Sequence, residues 1–163
     1  MFSTADLCDS YRDEISVLNT PLNSYGGVDI FSGEVVTLKL NRDNRALVEM
    51  LKREEGRGRV AVIDVDKAFY AVVGDTLMGY AHKNGWAGLV INGYVRDTKI
   101  TRDIDVGLLA IGTCPRKSFE ENSSYRDIPL NFGGIEFRSG DYIYVDSDGV
   151  VVSDKRLIGD GIE

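Results

Sequence analysis

Histidine and cysteine, the side chains most open to nucleophilic and soft-metal chemistry, are nearly absent from this chain. It holds one histidine, His82, and two cysteines, Cys8 and Cys114. The cysteines lie far apart, form no metal-type spacing and have no neighbouring base, so neither thiol catalysis nor a zinc site has support. Their number allows one disulfide, but two buried free thiols in a reducing compartment are the preferred reading. His82 is expected mid-helix with no metal-type partner, in a structural or surface role. Only three prolines stand against eighteen glycines, which speaks for tight turns and against a proline-rich linker. No apolar run approaches membrane-spanning length. The start, Met1-Phe2-Ser3-Thr4-Ala5-Asp6, lacks the basic-then-apolar order of a signal peptide, so a cytoplasmic protein is expected.

A basic stripe is missing as well. The formal net charge is −7, which argues against an electrostatic footprint for nucleic acid. The nearest basic cluster, Lys52-Arg53 with Arg57-Gly58-Arg59, is broken by Glu54 and Glu55 and has no interleaved aromatics for single strands. It reads as the solvated end of a helix. An acidic surface could instead dock a basic segment of another protein.

What is present suits one compact domain. A chain of 163 residues that is 43% hydrophobic can bury its own core. Residues 1–158 read as that domain and 159–163 as a frayed tail. Ser3 or Thr4 caps a short helix through Leu7 and Tyr11. Ile15-Ser16-Val17-Leu18 and the segment from Glu34 to Leu40 read as strands. Asn41-Arg42-Asp43 starts a helix with Ala46, Leu47, Met50 and Leu51 at helical spacing. Val60-Ala61-Val62-Ile63, Ala68-Phe69-Tyr70-Ala71-Val72-Val73 and Gly88-Leu89-Val90-Ile91 are apolar runs that suit strands buried on both faces, and Leu108 to Gly112 adds another. Between the second and third of these, Gly74-Asp75 opens a helix through Leu77, Met78 and Ala81. After Cys114-Pro115 the chain is polar through Ser124, as an exposed loop would be. Short alternating segments come next, around Phe132, Phe137 and Tyr144, and then Val150-Val151-Val152. The pattern is α/β: layered sheets with helices on one or both outsides.

Two segments bear on chemistry. Val73-Gly74-Asp75-Thr76-Leu77 is a strand end that enters a helix. Free N–H groups at a helix start bind carboxylate or phosphate, and Gly74 lets a ligand approach the backbone. The plain alternative is that Asp75 is only an N-cap. Ile91-Asn92-Gly93-Tyr94-Val95-Arg96-Asp97 comes after a buried strand, where open α/β sheets bind ligands. Arg96 suits a carboxylate, and Asp97 is a hard oxygen ligand for Mg²⁺. The plain alternative is an Arg–Asp pair on a solvated turn. Twenty residues separate Asp75 from Arg96, one helix plus one strand. A strand–helix–strand unit brings its strand ends to one edge, so an anion grip, a metal ligand and a second carboxylate could face one pocket. Asp146, Asp148 and Gly149 hold only fragments of a calcium loop and fit a hairpin turn better.

Gly74-Asp75-Thr76-Leu77, the run from Lys83 to Gly93, and Val95-Arg96-Asp97 closely resemble the central signature of the regulator of ribonuclease activity A family. The likeness extends to Phe2–Asp9, Tyr25-Gly26-Gly27, Phe31-Ser32-Gly33, Asp105-Val106-Gly107, Asn131-Phe132-Gly133-Gly134 and Ser139-Gly140-Asp141. The resemblance implies a layered β/β/α fold like the swivelling domain of phosphotransfer proteins. It also implies ring-shaped trimers, sometimes paired into hexamers, with the pocket between subunits. Members of the family are class II aldolases that cleave 4-hydroxy-4-methyl-2-oxoglutarate and decarboxylate oxaloacetate. Others bind and inhibit ribonuclease E, which makes that enzyme or its associated helicases candidate partners. Carried over, Arg96 and the amides of Gly74, Asp75, Thr76 and Leu77 would hold the pyruvyl carboxylate. Asp97 would ligate Mg²⁺, or Mn²⁺ or another divalent metal, and Asp75 would orient or deprotonate a metal-bound water. Departures from the pattern are Ile100, where many aldolases have an acid, and Cys114, where some relatives have histidine. Asp146 and Asp148 are weak stand-ins for an acidic ligand from a neighbouring subunit. A methyl-transfer role attached to this family finds no glycine-rich donor-binding loop here and is set aside.

Overall fold

Strands with no polar face must be covered on both sides, and the computed structural model, which describes residues 1–157, shows what covers them. The chain runs α1 (Thr4–Tyr11), β1 (Ser16–Val17), β2 (Asn23–Ser24), β3 (Phe31–Lys39), α2 (Arg45–Arg53) and β4 (Arg59–Asp64). It continues with β5 (Ala71–Val73), α3 (Asp75–Lys83), β6 (Gly88–Asn92), β7 (Tyr94–Val95), α4 (Thr98–Thr101), β8 (Gly107–Ala110) and β9 (Gly112–Thr113). The last part is β10 (Tyr125–Arg126), β11 (Leu130–Phe132), β12 (Ile135–Phe137), β13 (Tyr142–Asp146) and β14 (Gly149–Ser153). Ile158 and the tail at 159–163 lie outside the described residues.

The large sheet has the order β1-β14-β13-β3-β4-β6-β8-β2, with β10 also paired to β3. Its centre, β3-β4-β6-β8, is parallel, in the register Val36 to Ala61 to Leu89 to Leu108. The outer strands are antiparallel. A separate parallel sheet, β5-β7-β9, and a hairpin, β11-β12, complete the β structure.

Side chains alternate across the central strands as the pleat requires. Val36, Leu38, Ala61, Ile63, Leu89, Ile91 and Leu108 face α2 and α3, meeting Leu47, Met50, Leu51, Met78 and Ala81. Their neighbours Val35, Val60, Val62, Val90 and Leu109 face the other way, onto Phe132 and Phe137 of the hairpin. On β13 and β14, Tyr144 and Val151 pack against Leu7 of α1, so helices cover one face of the sheet and the hairpin covers part of the other. The result is a mixed α/β single-domain fold.

Several expectations need correcting. The run from Ala68 is a strand only over Ala71–Val73. Phe69 is 63% exposed and its ring meets Tyr94 edge-on, because the two positive-φ residues Asp66 and Lys67 turn the chain before the strand begins. Helix α2 starts after Asn44, not at Asn41. Cys114 is buried but Cys8 is only half-buried, and both are free. His82 lies in the last turn of α3, on an exposed face. Ser3 does cap α1, its hydroxyl accepting from the Asp6 amide. The β13–β14 hairpin closes with Asp146 opposite Gly149.

Phe31 shows how tightly the centre is built. A Cβ on Gly88 would lie 2.4 Å from its ring, and one on Gly107 2.3 Å. Gly88→Ala must push an aromatic ring off two neighbouring strands. We expect it to cost about 1–3 kcal/mol, read as a fall in the urea midpoint with unchanged slope. A midpoint equal to that of the parent chain would show that the ring moves freely.

Candidate functional site

The site starts at the small sheet. Val73 of β5 is in register with Val95 of β7, and the Arg96 amide donates to the Val73 carbonyl at 2.9 Å. Gly74-Asp75 and Arg96-Asp97 therefore leave one sheet edge side by side. The strand that sets this is β7, not β6. Strand β6 lies between β4 and β8 in the large sheet, and the chain passes from it through Gly93 into β7, the parallel partner of β5.

Asp97 takes φ 58 and ψ 34, a left-handed conformation that aspartate tolerates better than most residues. This turns its carboxylate back over Gly74. Its Oδ2 accepts from the Asp75 amide at 3.2 Å and stands 3.9 Å from Arg96 Nε. A Cβ on residue 74 would lie 2.5 Å from that oxygen, so glycine is what admits Asp97. Gly74, not Asp75, is the N-cap of α3, and having no side chain it makes no cap bond. Among the described residues the Thr76 and Leu77 amides of the first turn meet no acceptor, and they lie at the positive end of the helix dipole. Arg96 makes one long bond to the Pro115 carbonyl, 3.4 Å, so most of its donors meet no acceptor among the described residues.

The structure brings Gly74, Asp75, Thr76, Leu77, Arg96 and Asp97 to one cleft of about 440 Å³. Its oxygen donors suit a hard cation. Asp97 has a second oxygen without a hydrogen bond, and among the described residues no three His, Cys, Asp or Glu side chains gather as a closed cage. A Mg²⁺ that takes one protein carboxylate and fills its octahedron with water and ligand oxygens fits such a set. Ile100 is 51% exposed on α4 and offers no oxygen. Cys114 is buried, with its thiol directed at the Arg116 carbonyl. Asp146 lies away from the cleft. Its carboxylate accepts from the Thr4 amide and hydroxyl at 2.7 and 2.6 Å and so ties down α1.

The opposite wall was not foreseen. It is made by Asp43, Asn44 and Arg45 at the start of α2, and by Lys117 to Glu121 of the loop after β9. Asp43 is 5% exposed. It receives two bonds from Arg45 Nε at 3.0 Å, one from Arg45 Nη2 at 2.6 Å, one from the Arg45 amide at 3.0 Å and one from the Asn122 amide at 2.8 Å. The Arg45 side chain, with the two amides, holds its carboxyl well below the usual aspartate range. Beneath this wall Tyr70 is buried with its hydroxyl unpartnered, and burial pushes it up to about 12. The only sequence signal was a polar Asp-Asn pair before an apolar helix, which reads as a helix start.

A depressed carboxyl stabilises the fold fully above its ordinary pKa, and that stabilisation is lost as pH falls through the folded value. The parent chain should therefore lose urea stability relative to Asp43→Asn as pH drops below roughly 4. Parallel pH profiles of the two proteins would contradict this.

Known proteins match this chain over nearly its whole length. Residues 4–152 match the RraA-like family, described as Aldolase/RraA. A Bacillus cereus protein provisionally named 4-hydroxy-4-methyl-2-oxoglutarate aldolase is 39% identical over 158 residues, which cover 96% of this chain and 99% of that one. The solved structure of the RNA-processing inhibitor RraA from Thermus thermophilis is 36% identical with a TM-score of 0.92, covering 98% of this chain and 96% of its own. A Geobacillus kaustophilus structure named as an S-adenosylmethionine:2-dimethylmenaquinone methyltransferase is 41% identical, also with a TM-score of 0.92, over 96% and 97% of the two chains. With nearly its whole length matched in sequence and in fold, the chain belongs to the RraA-like family.

Proposed function

We propose that this chain is a divalent-metal-dependent class II aldolase and decarboxylase of pyruvyl substrates, among them 4-hydroxy-4-methyl-2-oxoglutarate and oxaloacetate. The observation that carries the reading is the meeting of a helix start whose N-cap is a glycine, Gly74, with Arg96 and Asp97 at the edge of one small sheet.

A pyruvyl carboxylate laid on the first turn of α3 receives the Thr76 and Leu77 amides and the Arg96 guanidinium, which fixes the keto group toward Asp97. Asp97 would hold the divalent ion through the oxygen that the Asp75 amide leaves open. The ion, when bound, supplies Lewis-acid stabilisation of the charge that develops on the keto oxygen as the carbon–carbon bond breaks. Among the described residues the Asp75 carboxylate accepts no hydrogen bond, so it is available to take the proton of the substrate's C4 hydroxyl through a water. The C3–C4 bond then cleaves, the C4 oxygen becomes a ketone, and the proton returns to C3 of the departing pyruvate. Oxaloacetate needs no such base, because its C3–C4 bond breaks with loss of CO₂. No lysine Schiff base enters. The same reading assigns the fold to the swivelling β/β/α class, the assembly to homotrimers or pairs of them, and the compartment to the cytoplasm, where two free thiols persist.

A second reading is a regulator that docks on ribonuclease E or its associated helicases. The net charge of −7 favours it, since an acidic surface attracts a basic segment, and so does the likeness to the Thermus inhibitor. The methyltransferase name of the Geobacillus relative is not carried over, because this chain has no glycine-rich loop after its first strand.

Pyruvate release from oxaloacetate, assayed with Mg²⁺ and with chelator, tests the first reading. We expect a rate well above metal alone, abolished by chelator and lowered on the order of 10²-fold or more in Arg96→Ala and Asp97→Ala. No enhancement with oxaloacetate, and none with 4-hydroxy-4-methyl-2-oxoglutarate, would leave the regulatory reading.

A further inference from the structure

The loop that forms the far wall of the cleft has no secondary structure from Pro115 to Ser124, and its residues Lys117, Phe119, Glu120 and Glu121 are exposed. Such a segment holds one shape only where other elements pin it. Five bonds with nitrogen or oxygen donors do so. Arg96 Nη1 donates to the Pro115 carbonyl at 3.4 Å. The Ala71 amide at the start of β5 donates to the Arg116 carbonyl at 2.7 Å. Ser118 Oγ donates to the Arg42 carbonyl at 2.5 Å. The Asn122 amide donates to Asp43 at 2.8 Å, and the Asn122 side chain donates to the Asn41 carbonyl at 2.7 Å. Three of the five land on residues 41–43, and Asp43 is the one charged, buried anchor among them.

Asp43 also fixes Arg45. The guanidinium lies in a two-pronged contact with the carboxylate, and its free Nη1 stands 3.9 Å from Glu121 of the loop. One buried carboxylate thus holds the start of α2, a cleft-lining arginine and the loop together. Asp43 is too enclosed to meet a substrate itself.

Resting on the aldolase reading, we propose that Asp43 is a positioning residue: it fixes Arg45 and the 118–122 segment as the wall of the cleft opposite Arg96 and Asp97, and so sets how well the distal half of the substrate is held. Its effect falls on ground-state fit, since the reacting bond lies on the other wall. In kinetic terms KM rises and kcat stays.

Asp43→Asn keeps the shape and removes the charge. Steady-state kinetics with 4-hydroxy-4-methyl-2-oxoglutarate and saturating Mg²⁺ should show KM raised about tenfold and kcat within about twofold. Amide exchange should quicken at Asn122 and along 118–121, with β4 and β6 still protected. Ser118→Ala, which loosens the same loop without disturbing a buried charge, should shift KM the same way by a smaller factor, and it serves if Asp43→Asn does not fold. An unchanged KM with a loosened loop overturns the proposal, as does a fall in kcat at constant KM. A parent chain without activity removes the aldolase reading and this proposal with it, an outcome distinct from an active parent whose variants are silent.

Discussion

The hydrogen bond from the Arg96 amide to the Val73 carbonyl is the constraint on which the site depends. It is one rung of a short parallel ladder, β5 on β7, with β9 beyond. Parallel pairing makes both strands end at the same edge. The segments that leave them, a helix start on one side and Arg-Asp on the other, are then forced into contact. Three residues of β5 and two of β7 could not hold this alone. Val72, Val73 and Val95 belong to the same buried cluster as the central strands and helices, so the large sheet is the platform for the small one.

At that edge the chain accepts local costs that have a common purpose. Asp97 sits in left-handed space, which costs on the order of 1 kcal/mol. Helix α3 begins on a glycine N-cap without a side-chain bond of its own, which costs about a few tenths of a kcal/mol. Together they leave a carboxylate oxygen, two helix amides and a guanidinium facing one space, with no protein partner for most of them. The opposite wall obeys the reverse logic. Asp43 is fully bonded and its charge is matched by Arg45, so that side is tied down where the Arg96–Asp97 side is left open. Pre-set donors beside a fixed wall are what orientation and charge stabilisation require.

The central strands were legible in the sequence because valine- and isoleucine-rich runs such as Val60-Ala61-Val62-Ile63 leave no other choice, and α3 because Gly74-Asp75 interrupts one. The strand proposed from Ala68 was too long, since apolar residues at Phe69 and Tyr70 look alike in sequence while one is exposed and the other buried. The cleft's far wall could not be seen. Its bonds join residues 76 and 79 positions apart, and an exposed polar loop carries no periodicity that points to its partner. Asp146, read as part of a hairpin turn, also ties down α1 through Thr4, a contact 142 positions away that its neighbours in sequence could not signal.

The sequence by itself determined most of the element types and the presence of Asp75, Arg96 and Asp97 at a spacing of one helix and one strand. These come from side-chain chemistry and local periodicity, which act within a few residues. Tertiary structure alone decided that β7 rather than β6 pairs with β5, that Gly74 makes room for the Asp97 carboxylate, and that Asp43 binds a distant loop. Each of those depends on which backbone and polar groups remain unpaired once the core has closed, and no short stretch of chain contains that information.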